Sequence, residues 1–65
     1  MSYQLLEVLN KKLDEQIEQL VEVVSAGGAK SHEHYKELCG TIRGLQTAQM
    51  ELADLVRKTK EYDDD

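Results

Sequence analysis

The chain has no tryptophan, no phenylalanine and no proline, one cysteine, and 4 glycines confined to two pairs. With the aromatics reduced to Tyr3, Tyr35 and Tyr62, any core must be aliphatic, which suits helix packed on helix. The lack of proline leaves nothing to break a helix interior. Cys39 alone cannot form an internal disulfide, and no cysteine and histidine set has zinc-site spacing. A lone thiol among apolar residues fits a reducing compartment. Positive charge is scarce: 8 basic against 13 acidic residues leave a net charge of -5, which argues against a phosphate-reading surface and against nucleic acid as a partner. No apolar run approaches the roughly 18 residues of a membrane span, and Met1 to Val8 lacks the basic start of a signal peptide. The expectation is a protein assembled in a cytoplasm, with no membrane partner.

At 65 residues there is room for one small domain, and a lone core of that size supplies only about 3–5 kcal/mol. With disulfide and metal excluded, a partner chain is the remaining source of stability.

What is present is helical periodicity. Leu6, Leu9, Leu13, Ile17, Leu20 and Val24 recur at spacings of three and four, one side of a helix. Glu7, Lys11, Lys12, Asp14, Glu15, Glu18 and Glu22 occupy its other faces. Gly27 and Gly28 supply a left-handed cap and a turn, so the first helix is predicted over 3–26 and a loop over 27–31. Ser31 is the expected N-cap of a second helix, with Glu33 suited to its first turn, although His34 at the third position leaves the capping box incomplete. Tyr35, Leu38, Ile42, Leu45, Gln49, Leu52 and Val56 then repeat as a heptad stripe interrupted only by Gln49. Arg57, Lys58 and Lys60 suit a helix C-terminus, giving a second helix over 32–60 and an acidic tail over 61–65. So short a loop predicts an all-α, two-helix antiparallel hairpin, coiled-coil-like, either oligomeric or docked on a larger protein. The second helix is the longer by about one turn.

Gly40, Gly44 and Ala48 form a second stripe within that second helix. Each glycine costs a helix interior roughly 1 kcal/mol relative to alanine, which a closely approaching backbone can offset. On the helical wheel this stripe centres roughly 130° from the heptad stripe, so a first helix that covers one leaves the other open. Gly40, Thr41, Gly44 and Ala48, with Arg43 placed to pair with a carboxylate of another chain, are therefore the candidate partner-binding residues. The alternative is an imperfect register in which the glycines pack on the first helix inside the hairpin.

No constellation carries chemistry. His32, Glu33 and His34 point to different sides of a helix and match no metal motif. Cys39 and His34 are badly spaced for a nucleophile and its base, and Cys39 reads as a small filler beside Leu38 and Ile42. The pairs Glu33 with Glu37 and Glu51 with Asp54 read as solvated surface, and the Gly27–Gly28 pair lacks the strand and lysine of a phosphate loop. The expectation is no enzyme, no cofactor, no metal site and no small-molecule substrate.

The run Tyr35, Lys36, Glu37, Leu38, Cys39, Gly40, Thr41, Ile42, Arg43, Gly44, Leu45, followed by Ala48, resembles a group of small, uncharacterised helical-hairpin proteins of tailed bacteriophages. They share a leucine-rich first helix, a Tyr-x-x-Leu-Cys-Gly-x-Ile-Arg-Gly-Leu core and an aspartate-rich end. Ser31 departs from the aspartate more usual at the cap. The resemblance implies a viral origin and a virion location, as a component docked on a larger structural protein such as portal, connector or capsid. The alternative is a self-associating protein of the host cytoplasm that regulates a host or phage enzyme.

Overall fold

A computed structural model describes residues 3–63. It holds two helices, α1 (Tyr3–Ser25) and α2 (His32–Asp63), and no strand among the described residues. They form a helical hairpin whose extents, 52 × 15 × 14 Å, are those of a rod two helices wide.

The loop is built by both predicted caps. Gly27 has φ +73°. Its N–H donates to the Val24 carbonyl at 3.1 Å and that of Gly28 to the Val23 carbonyl at 2.8 Å, which is the Schellman arrangement that closes a helix C-terminus. A β-carbon on Gly28 would lie 3.0 Å from both Val23 Cγ1 and the Val23 carbonyl oxygen. The pair thus caps α1 and turns the chain toward α2. At the start of α2, Ser31 Oγ accepts the His34 N–H at 3.0 Å, as expected of an N-cap. The box itself stays incomplete, since His34 Nδ1 accepts not the Ser31 N–H but that of Lys30, one residue before the cap, at 2.9 Å.

The second helix exceeds its expected length at the far end. It runs through Asp63, three residues past Lys60, because neither proline nor glycine stops it and each acidic residue near the C-terminus costs only tenths of a kcal/mol. Its 32 residues against 23 in α1 also exceed the single turn of difference predicted. Asp64 and Asp65, the end of the expected tail, lie outside the described residues.

Along the seam, Leu6, Ile17 and Leu52 are buried, at 1%, 9% and 7% exposure. Leu13, Leu20, Val24, Leu38, Ile42, Leu45 and Val56 are half-buried beside them. Two expected core members fall outside: Leu9 and Tyr35 are each 44% exposed. Both belong to the right helical period but sit at the edges of their stripes, beyond the arc that one neighbouring helix covers.

Candidate interaction surface

The two flanks of the seam differ in chemistry. On one flank the Gln49 side-chain amide donates to Asp14 Oδ1 at 2.7 Å and reaches Asn10 Oδ1 at 3.3 Å. Farther along, the Lys60 ammonium lies 5.3 Å from the centre of the Tyr3 ring, a cation–π distance. These contacts tie α1 to α2 across sequence separations of 35 to 39 residues in the Gln49 bonds. They also place the N-terminal part of α1 beside the C-terminal half of α2. Gln49, which interrupts the heptad, thus acts as a polar latch. Neither Asp14, read as solvated surface, nor Asn10 carries a sequence signal for this role, because periodicity marks apolar faces only.

The other flank is open. At about 100° per residue, Gly44 and Gln49 fall on opposite sides of Leu52, and Leu9 and Val23 fall on the side of Leu6 away from Asn10 and Asp14. Since the latch joins the first pair of flanks, the remaining two share the other side of the hairpin. Gly40, Thr41, Arg43, Gly44 and Ala48 are all exposed. A β-carbon built on Gly40 or Gly44 would meet nothing within 4 Å, so the glycines do not pack on α1. The alternative of an internal glycine contact is thereby overturned. Thr41 Oγ1 donates to the Glu37 carbonyl at 3.0 Å, which satisfies the one hydroxyl of the stripe within its own helix. Leu55 is exposed on the same side of α2, and Leu9 and Val23 on that of α1.

Elsewhere, Asp54 bridges to Arg57 and, at 3.2 Å, to Lys58. The Lys58 hydrogen bond and charge, then Arg57, hold its carboxyl below the ordinary value of 3.8. Tyr35 stacks on His32 with ring centres 6.4 Å apart, and a hydrogen bond with the Cys39 thiol raises its pKa above the ordinary value. Cys39 is half-buried. His34 is engaged in the helix cap, and no group of three or more metal-ligating side chains gathers among the described residues. Among the described residues no helix is long and apolar enough to cross a membrane.

Comparison with protein families, with curated proteins and with solved structures finds no match to this chain.

Proposed function

We propose that the protein is a non-enzymatic interaction module: an antiparallel, coiled-coil-like hairpin that acts by packing the small-residue face of α2 against a helix of another chain. One observation carries this reading. Gly40 and Gly44 are exposed in the interior of α2 with empty space over both, so within the chain alone they only weaken the helix, by roughly 1 kcal/mol each relative to alanine. A helix backbone that approaches closely is the arrangement that gives them a use. Arg43, next to Gly44 in sequence but on a different side of the helix, is exposed and makes no ion pair among the described residues, which suits it to a carboxylate of another chain.

The resemblance to small phage proteins supplies the setting. The hairpin is assembled, in several symmetric copies, on a larger virion protein such as portal, connector or capsid. Replacing Gly44 by leucine fills the face without touching the seam. Mass spectrometry of purified particles then shows the chain lost from the virion while circular dichroism shows its helices intact; undiminished incorporation refutes the reading.

A second reading is a self-associating protein of the host cytoplasm that regulates an enzyme. It draws on the breadth of the open side, where exposed Leu9 and Val23 on α1 extend the face beyond the width of one helix. Particles that lack the wild-type protein distinguish it from the first.

A further inference from the structure

Three residues are buried in the hairpin among those described, while Leu9, Val23 and Leu55 stand exposed on its open side. A core this small supplies only about 3–5 kcal/mol, which leaves a 65-residue chain marginally stable on its own. Resting on the reading of this side as a helix-docking surface, we propose that its occupant is a second copy of this chain. The two α2 helices run in opposite directions about a two-fold axis through Ala48.

The argument is self-complementarity, which a two-fold interface requires. Under reflection about position 48, residue 55 of one copy comes to the level of residue 41 of the other. Leu55, the bulky residue of the open side of α2, thereby meets the hollow between Gly40 and Gly44, once in each direction. The charges match as well. Position 37 comes to the level of 59, next to Lys58. Glu37 then pairs with Lys58 of the second copy, a contact that occurs twice. Glu37 is exposed and makes no ion pair among the described residues. Lys58 turns from an exposed intrahelical contact with Asp54 that is worth little on its own. On α1 the same axis brings Val23 of each copy to the level of Leu5 of the other. The product is a four-helix bundle, and the pair is then the unit that meets any larger protein.

The test is sedimentation equilibrium on the whole chain, with two sets of variants on exposed positions that leave the seam intact. The wild type sediments at twice its 7.4 kDa chain mass. Glu37→Lys raises the dissociation constant roughly tenfold by setting like charges opposite Lys58, and adding Lys58→Glu to it restores pairing. In a Cys39→Ser background, Ala48→Cys forms a disulfide between copies under mild oxidation, because position 48 faces itself across the axis. A wild type that is monomeric throughout, a double charge reversal no better than the single one, or an Ala48→Cys variant that does not cross-link overturns the pairing. If the chain is monomeric yet Gly44→Leu still removes it from particles, the second copy is refuted while the docking surface stands. If Gly44→Leu changes neither association nor incorporation, the docking surface itself falls.

Discussion

Gln49 and Gly44 lie five residues apart on α2 and face opposite sides of the hairpin: the Gln49 amide reaches the Asp14 carboxylate at 2.7 Å, whereas a β-carbon on Gly44 would meet nothing within 4 Å. One side of the seam is therefore closed by polar contacts within the chain, and the other is left for something outside it. The two sides respond to substitution in opposite ways.

Removing the latch weakens the hairpin itself. Gln49→Ala deletes the hydrogen bonds to Asp14 and Asn10, and because Asp14 is exposed and rehydrates, the loss is about 1 kcal/mol. Urea denaturation followed by circular dichroism measures it, and an unchanged midpoint contradicts the latch.

The two glycine pairs behave differently on conversion to alanine. Gly40→Ala and Gly44→Ala each stabilise the helix by roughly 0.5–1 kcal/mol, since there is room for the added methyl and less backbone entropy to lose. Gly28→Ala destabilises by forcing a 3.0 Å contact on Val23, and Gly27→Ala does so by straining a φ of +73°. Thermal melts at a concentration low enough to suppress association separate these signs; a loss of stability in Gly44→Ala under those conditions contradicts an open face.

Ser31→Ala removes the acceptor of the His34 N–H at the start of α2 and costs about 1 kcal/mol. Its readout is faster hydrogen exchange at the His34 amide, with the middle of α2 unaffected.

The carboxyl of Asp54 titrates below its ordinary value of 3.8, chiefly through its hydrogen bond with Lys58. A carboxylate with a depressed folded-state pKa contributes stability that is complete above the ordinary value and disappears as pH falls through the lower one. Asp54→Asn is therefore less stable than wild type at about pH 5, and the two converge as pH falls through the lowered value, where the wild-type carboxyl becomes neutral too. A gap that stays constant across this range contradicts the assignment. The effect is small, because Asp54 and its partners are on the surface.

Periodicity alone locates both helices, and local chemistry locates their caps: the glycine pair after Ala26 and Ser31 before His32 act as such residues do in any helix. The open glycine face also follows from the wheel, since the glycine stripe centres roughly 130° from the heptad stripe. Periodicity does not give the width of the seam. Leu9 and Tyr35 keep the right spacing, but only a neighbour's position decides which edge of a stripe is covered, and both are exposed. Nor does it reveal the Gln49 latch, which depends on Asn10 and Asp14 lying level with Gln49 across the fold. The end of α2 was equally illegible, because an acidic run without a breaker weakens a helix by increments rather than stopping it.

The central claim is that a second copy of this chain occupies the side of the hairpin that carries Gly44. Sedimentation equilibrium of the wild type and Gly44→Leu over the same rising concentrations tests it most directly, with helicity recorded on the same samples. The account predicts that the wild type associates and the variant, equally helical, stays at the mass of one chain. Equal masses for the two proteins at every concentration would contradict it.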